Sequence, residues 1–210
     1  MIDLYTAATP NGRKISIFLE ETGLPYRVHA LDLSRGDQRS AEFTAICPNG
    51  KIPAIVDDEV EGGPVAIFES GAILLHLAER TGRFLPADTA GRAAVYQWLM
   101  YQMSHVGPIL GQTHHFASHA PERIPYAIER FIGESLRILG VLDRRLEAEP
   151  HLAGDYSIAD IATYPWVRAA WEPFSQTLPG EIARLPHLQR WLDRVAGRPA
   201  VERGMAVPQP

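Results

Sequence analysis

The stretch IDLYTAATPNGRKISIFLEETGLPYRVHAL, residues 2–31, predicts a strand, a helix and a second strand. Ile2–Tyr5 has the composition of a strand, and Thr9 suits the N-cap of the helix that follows. Apolar residues then recur at helical spacing until Gly23, a residue type that commonly ends helices. Tyr26–Leu31 is the second strand. A β–α–β unit of this kind predicts parallel strand pairing through a right-handed crossover.

The next fifty or so residues continue the same domain. They contain a short helix, two strands and a longer helix, predicted over 41–46, 54–57, 65–68 and 70–80. The short connection between the two strands favours an antiparallel hairpin. The order of these elements predicts a mixed four-stranded sheet with helices on its faces, which is the thioredoxin-like topology. We assign this domain to residues 1–84.

Residues 85–210 predict a second domain that is all-α. Amphipathic or apolar-rich helices are indicated over 90–103, 125–146, 158–170 and 185–195. Ser157-Ile158-Ala159-Asp160 has the pattern of a capping box with Asp in place of Glu. That pattern indicates a structural role for Asp160. The fold class is therefore an α/β thioredoxin-like domain followed by an all-α domain.

Composition excludes several classes of function. The chain has 20 Lys+Arg against 25 Asp+Glu, a formal net charge of −5, and no long run of either sign. This argues against nucleic-acid and membrane partners. Cys47 is the only cysteine, which excludes an intrachain disulfide, a CxxC redox pair and a cysteine-rich zinc site. With no signal peptide at the start, these features predict a cytoplasmic protein.

Three local features of the first domain point to one type of ligand. The helices that begin at Thr9 and Ser70 both follow strands of one sheet, so their N–H groups and partial positive charges face the same edge. Such helix starts suit a thiolate and a carboxylate. Ile52-Pro53 precedes a strand, where a cis bond would let the Ile52 backbone pair with a peptide. Together they predict a small acidic thiol peptide, although Thr9 and Ser70 taken singly also fit ordinary helix caps.

Longer motifs resemble a known family. TPNG after the first strand, NGKIPAIVD, FESGAILLHLAERTG and YSIADIATYPW together resemble the cytosolic glutathione transferase superfamily over essentially the whole chain. The segments TPNGRKISIFLEETGLPY, GPILGQTHHF and IPYAIERF are similar to its bacterial Nu class, related to the globular domain of the yeast nitrogen-regulation prion protein. The resemblance implies a glutathione-dependent disulfide-bond oxidoreductase that uses glutathione as co-substrate, needs no metal and forms a homodimer.

The resemblance also implies a role for each matching residue of the glutathione site. Glu69 and Ser70 would hold the γ-glutamyl amine and carboxylate. The Ile52 backbone, set by Pro53, would pair with the cysteinyl residue.

The remaining residues implied by the resemblance surround the other parts of glutathione. Lys51 and Gln38 would reach its remaining polar ends, and Thr9 and Asn11 would donate hydrogen bonds to the sulfur. Arg130 matches a position that reaches the glutathione site, where it would contact a second molecule.

Thiolate stabilisation is the chemistry that these residues would perform. A free thiol titrates near pH 8.5, so only a small fraction is thiolate at neutral pH. Donors and a helix start would lower the pKa of the bound thiol by about one to two units. The thiolate could then attack a small disulfide or an electrophilic carbon, and the protein would need no nucleophile of its own.

Other chemistry-bearing residues have simpler interpretations. Tyr5 lies within the first strand and is interpreted as a packed aromatic residue, and Cys47 as a small buried hydrophobic residue. Four histidines cluster in the second domain: His105, His114, His115 and His119. They lack a nearby carboxylate and the HExxH pattern, so we interpret them as pocket-lining or packing residues rather than metal ligands.

Two alternative functions remain open at this point. An electrophile-conjugating glutathione S-transferase would need the same thiolate site. A non-catalytic interaction module is the alternative from another class, because a fold does not determine a function.

Overall fold

Four short strands form a mixed sheet in the computed structural model of the chain, which describes residues 1–208. The strands are β1 (Ile2–Thr6), β2 (Tyr26–Ala30), β3 (Ala54–Asp57) and β4 (Val65–Phe68). Their order is β2-β1-β3-β4. β1 pairs with β2 in parallel, and the other neighbouring strands are antiparallel. The predicted four-stranded mixed sheet and its parallel β–α–β unit are confirmed.

Three helices accompany these strands: α1 (Pro10–Thr22), α2 (Ala41–Ile46) and α3 (Ser70–Thr81). α1 begins where the sequence predicts, because Thr9 Oγ1 accepts a hydrogen bond from the Gly12 N–H. It ends at Gly23, which adopts the left-handed conformation with φ 72°. The core of this part of the molecule is fully buried and includes Leu4, Ile15, Ile55 and Leu74.

Six helices follow: α4 (Thr89–Tyr101), α5 (Gly107–His114), α6 (Pro125–Ala148), α7 (Ile158–Thr177), α8 (Pro179–Ile182) and α9 (Pro186–Ala196). Within residues 1–208, no helix has the length and apolarity to cross a membrane. Two π-helical turns, Gln102–Val106 and His115–His119, flank α5. The sequence did not predict α5, because its glycines are typical of loops. A Cβ on Gly111 would lie 3.3 Å from the Trp166 ring, so this glycine accommodates the neighbouring helix.

Asp160 is a buried residue of the all-α part that bonds to several segments of the chain. Ser157 and Asp160 form the predicted capping box at the start of α7. The Asp160 carboxylate also accepts hydrogen bonds from the Leu152 N–H at 3.0 Å and the Trp191 indole N–H at 2.8 Å. Burial raises the pKa of this carboxyl, against the opposing effect of these donors. Its role as a structural cap is confirmed by these bonds.

The last helix, α10 (Pro199–Met205), packs on α1. Ser16 of α1 donates a hydrogen bond to the Gly204 carbonyl at 2.6 Å, and a Cβ on Gly204 would lie 2.5 Å from Ile17 Cα. The chain accordingly divides into two units, Met1–Leu85 with the chain from Ala196 onward, and Pro86–Val195. The sequence assigned all of 85–210 to the second domain, whereas α10 belongs to the first unit. The reason is that Pro199, which was expected to end the preceding helix, begins a new one. Residues 209–210 lie outside the described part.

Candidate functional site

The carboxyl ends of β1 and β4 meet the start of β3 at one edge of the sheet. Tyr5 of β1 lies opposite Ala54 of β3, and Ala54 also lies opposite Phe68 of β4. Continuing both registers by one residue places Pro53 between the end of β1 and the start of α3. The three features that predicted a ligand therefore share this edge of the first unit.

The start of α1 presents a hydroxyl and an amide side chain at this edge. Thr9 has extended backbone angles, and its Oγ1 accepts from the Gly12 N–H at 3.4 Å. Because a hydroxyl both donates and accepts, Thr9 can cap the helix and still donate its own proton to a ligand. Asn11 lies in the first turn and is half-buried.

Gly12 is required for this helix start, although the sequence singled out only its neighbours. A Cβ at this position would lie 2.3 Å from both the Ala7 carbonyl oxygen and Thr6 Oγ1. Such distances are far inside van der Waals contact, so only glycine lets the first turn of α1 approach the end of β1 this closely. The glycine of the TPNG motif therefore sets where Thr9 and Asn11 lie.

The loop before β3 carries the predicted backbone contact. The Ile52–Pro53 peptide bond is cis, as the sequence predicts. Lys51 is exposed beside it. Gln38 lies in a short 3₁₀ turn next to this loop, since its carbonyl oxygen is 3.1 Å from the position a Cβ would take on Gly50. The Gln38 Oε1 atom is buried and has no hydrogen-bond partner within residues 1–208, so it is available to a donor on a ligand.

Glu69 has an unusual backbone conformation at the start of α3. Its φ of 69° lies in the region that favours glycine, yet its side chain is exposed. Conformations of this kind concentrate at functional sites, where the surrounding structure holds them in place. Glu69 is also the N-cap of α3, and its side chain makes no capping bond to the residues described.

Ser70 differs from its expected role as a simple helix cap. It is the first residue of α3 rather than its N-cap, and only 6% of it is exposed. Its hydroxyl oxygen accepts a hydrogen bond from Lys14 Nζ at 3.2 Å. The physical reason is that Glu69 occupies the N-cap position of α3, so Ser70 begins the helix and its hydroxyl contacts a side chain of α1.

Lys14 is the site residue that sequence reasoning missed. It lies on the buried face of α1 and is 1% exposed, so desolvation lowers its pKa from 10.5 to about 7, opposed by the charge of Glu69. The signal was its spacing: Lys14 precedes the buried Phe18 by four residues and so lies on the same face of the helix. A basic residue on that apolar stripe indicates a buried charge.

Family comparisons agree with this geometry. The family model for the glutathione S-transferase N-terminal domain matches residues 2–79, and the model for the C-terminal domain matches residues 116–199. The chain belongs to the glutathione S-transferase family. The expected family and its two-part fold are thereby confirmed.

Individual relatives of this glutathione S-transferase are close. Disulfide-bond oxidoreductase YfcG of Escherichia coli K12 is 53% identical over 203 residues, which is 95% of this chain and 92% of that protein. A glutathione transferase from Burkholderia graminis, with two glutathione molecules bound per subunit, has a TM-score of 0.94 at 45% identity and covers 99% and 88% of the two chains. One from Pseudomonas putida, with one glutathione disulfide bound per subunit, has a TM-score of 0.94 at 44% identity and covers 99% and 91%.

Arg130 of the transferase lies in the second unit, where it is exposed on α6. It lines an open cavity of about 720 Å³. The other residues around this cavity are Ile109, Tyr126, Glu129, Phe131, Gly133 and Glu134. The cavity offers a cationic group with aromatic and acidic neighbours, and the role of Arg130 in binding stays a prediction.

Tyr5 and Cys47 of the transferase lie as the sequence indicates. The Tyr5 ring stacks on His29 with centroids 4.5 Å apart, in agreement with a packed aromatic residue. Cys47 is 1% exposed and packs against Phe43, and its Sγ donates to the Lys51 carbonyl oxygen at 3.2 Å. Burial therefore keeps the thiol of this chain away from solvent-borne substrates.

The histidine cluster is exposed in the second unit. His114 and His119 approach each other with their Nε2 atoms 2.9 Å apart. Within the described part of the chain, no three His, Cys, Asp or Glu side chains come together in a way that could hold a metal ion.

The edge of the first unit can bind an anionic peptide. Two helix starts, an exposed lysine and a buried lysine supply positive potential, and the Glu69 carboxylate supplies a partner for an amine. A thiol placed beside Thr9 and Asn11 would be favoured in its thiolate form by the same donors.

Proposed function

We propose that this chain is a glutathione-dependent disulfide-bond oxidoreductase whose active site is the edge of the sheet in the first unit. One observation carries the proposal: the starts of α1 and α3 and the loop that carries Ile52 and Pro53 meet at one edge. The family, the name of the relative that is 53% identical, and the glutathione disulfide bound in a similar transferase support it.

Glutathione binds along this edge in the proposed complex. Ser70 and the N-terminus of α3 hold the γ-glutamyl carboxylate, and Glu69 binds the γ-glutamyl amine. The Ile52 backbone, oriented by Pro53, pairs with the cysteinyl residue. This arrangement leaves the sulfur near the start of α1.

Lys51 and Gln38 bind the remaining polar ends of the peptide. The contact between the Gln38 turn and the loop before β3 supports this pairing, because it brings the turn next to the loop that carries Lys51.

The proposed reaction is thiol–disulfide exchange. The bound glutathione thiol releases its proton, and hydrogen bonds from Thr9 and Asn11 stabilise the thiolate. The thiolate attacks one sulfur of the substrate disulfide, a new S–S bond forms, and the old S–S bond breaks to release a thiolate that takes up a proton. A second glutathione then attacks the mixed disulfide, which yields glutathione disulfide and the second substrate thiol.

The second glutathione binds near Arg130 in this proposal. The similar transferase with two glutathione molecules per subunit supports the stoichiometry, and the cavity beside Arg130 supports an anion at that position. A homodimer and a cytoplasmic location belong to the same proposal, the latter because the lone buried cysteine suits a reducing compartment.

The test measures two activities of the same preparation. Reduction of the mixed disulfide of glutathione and hydroxyethanethiol is compared with conjugation of glutathione to a chloronitroarene. We expect disulfide reduction to exceed conjugation. Conjugation faster by orders of magnitude would make the chain an electrophile-conjugating transferase, and no binding of glutathione or its disulfide in calorimetry would leave an interaction module.

Variants at the start of α1 test the thiolate site. Replacing Thr9 and Asn11 together by alanine is expected to lower kcat/KM by about 100-fold, the effect of losing preorganised donors to a developing anion. Thr9→Ser keeps the hydroxyl and should retain most activity. Thr22→Ala, at the other end of α1, and Cys47→Ser are the matched controls and should leave turnover within a few-fold. Loss of activity in Cys47→Ser would contradict the mechanism.

A further inference from the structure

Two histidine side chains of the second unit meet at the protein surface. His114 is the last residue of α5, and His119 is the last residue of the π-helical turn that follows it. Both residues are exposed. Their Nε2 atoms are 2.9 Å apart, their ring centroids are 4.5 Å apart, and the ring planes cross at 74°. Because the pair is exposed, packing in the core does not explain why the two rings come together.

The π-helical turn is the backbone feature that brings the two rings together. Side chains on one face of an α-helix are three or four residues apart, whereas His114 and His119 are five apart. In the turn, the Ala120 N–H donates to the His115 carbonyl oxygen at 2.8 Å, a bond that spans five residues. Such wider turns are rare and frequently occur at functional sites.

Contacts with α6 hold this segment in place. Thr113, which is 6% exposed, has its hydroxyl oxygen 2.7 Å from Ser135 Oγ and donates to the Phe131 carbonyl oxygen at 3.1 Å. Three residues further on, the Phe116 ring stacks on the Phe131 ring with centroids 5.3 Å apart. The chain around His114 is thus fixed to α6 on both sides, so little backbone freedom would be lost when the two imidazoles bind one ligand.

The distances within the pair match two ligands of one metal ion. Imidazole nitrogens bound at a right angle, each about 2.05 Å from the ion, lie about 2.9 Å apart, with ring centroids about 4.5 Å apart. A tetrahedral ion would hold the nitrogens about 3.3 Å apart. A straight hydrogen bond between the rings would place the centroids about 5.2 Å apart. The observed 2.9 Å and 4.5 Å therefore fit a right-angled pair of ligands.

We propose that His114 and His119 form a two-histidine binding site for a divalent transition metal ion of tetragonal geometry, Cu(II) or Ni(II). Imidazole is a preferred ligand of both ions, and right angles between ligands are typical of their square-planar and tetragonal complexes. Within residues 1–208 no group of three His, Cys, Asp or Glu side chains could hold a metal ion, so water or a donor from another molecule completes the coordination.

This site is independent of the proposed function, which needs no metal. The sequence argued against a metal because no carboxylate lies near the histidines; the structure instead points to two imidazoles as the only protein ligands. His115, between them in sequence, has its ring against Phe116 at 5.1 Å and is not assigned to the site.

Calorimetry with Ni(II) tests the site in the full chain, prepared without an affinity tag. Wild type, His114→Ala, His119→Ala and the matched control His115→Ala are titrated at pH 7.5 in a buffer that does not bind metals. We expect wild type to bind one ion per chain at this site. Loss of either ligand should weaken binding at least 10-fold, because one imidazole then replaces a pair, whereas His115→Ala should stay within a few-fold of wild type. All three histidines are exposed, so their replacement should leave the fold intact.

Electron paramagnetic resonance of the Cu(II) complex gives the second readout. One equivalent of Cu(II) should show nitrogen splitting from two imidazoles in wild type and in His115→Ala, and from one imidazole in His114→Ala and His119→Ala.

The other results overturn the inference. These are the absence of Ni(II) binding by wild type, unchanged affinity in His114→Ala or His119→Ala, an equal loss in His115→Ala, or a wild-type Cu(II) spectrum with splitting from a single nitrogen. Each of them leaves the proposed disulfide reduction untouched, because that reaction is assayed without added metal.

Discussion

Asp160 of the second unit and Lys14 of the first unit are both buried almost completely, and the two are held in different ways. Asp160 in the second unit is 0% exposed and accepts from the backbone of Leu152 and Ser157 and from the Trp191 indole. Lys14 in the first unit is 1% exposed and donates to Ser70, a residue predicted to bind the substrate. Burial alone therefore does not distinguish a structural charge from a functional one; the identity of its partners does.

The partners of Asp160 all belong to the framework. Its carboxylate connects the start of α7 to the preceding loop and to α9. These hydrogen bonds offset the free-energy cost of desolvating the carboxylate. Lys14 instead donates to Ser70, a residue proposed to hold the ligand. We expect substitution of Asp160 to destabilise the fold and substitution of Ser70, the partner of Lys14, to weaken ligand binding.

The largest expected effect is the loss of Asp160. Asp160→Ala leaves several buried donors without an acceptor and should lower the free energy of unfolding by about 3–5 kcal/mol. Urea unfolding followed by circular dichroism measures the change. The exposed Asp155→Ala is the matched control, with a change within about 0.5 kcal/mol. A similar small change for Asp160→Ala would remove the contrast between the two sites.

The next effect is the pH dependence of the free energy of unfolding that Lys14 causes. The folded pKa of about 7 lies below the unfolded value near 10.5, so between these values the unfolded chain binds more protons and wild-type stability rises with pH. Lys14→Met lacks this contribution and should be the more stable protein at pH 7.5. Its advantage should shrink by about 1.4 kcal/mol per pH unit as the pH rises towards 10. Denaturant titrations of both proteins at several pH values measure the difference, and parallel curves would show that Lys14 is not buried as described.

The smallest expected effect concerns Ser70. Ser70→Ala removes the hydroxyl that is proposed to hold the γ-glutamyl carboxylate, and it should weaken glutathione binding by about 10-fold, or 1.4 kcal/mol. The free energy of unfolding should change by less than half as much, because a small polar group is lost without leaving a large cavity. Calorimetry and urea unfolding on one preparation give both values. A stability loss larger than the loss of affinity would place Ser70 with Asp160 as a framework residue.

Much of the first unit was predictable from local signals. The strand–helix–strand start follows from the apolar pattern between Thr9 and Gly23, and β3 and β4 were predicted with the observed bounds. The helix starts and the Ile52–Pro53 bond could be located from residue types alone. Capping residues and proline restrict the backbone of residues next to them in sequence, so their effects are visible in the local pattern. The roles of these residues in binding stay predictions.

The parts that were missed depend on contacts between distant residues. α5 contains glycines that suggest a loop, yet Gly111 is there to admit the Trp166 ring. Ser70 was expected to cap its own helix, but Lys14, 56 residues earlier, binds its hydroxyl. Lys14 is expected to be exposed from its residue type, and its burial becomes clear only from the face of α1 on which it lies. Local sequence patterns contain no information about such partners.

The seating of α10 on α1 has a consequence for biosynthesis. Residues 10–22 carry the start of the proposed active site, but the helix that covers them ends near residue 205. During synthesis α1 therefore emerges long before the helix that covers it. The surface of α1 around Ile17 stays uncovered until the whole second unit and α10 have been made.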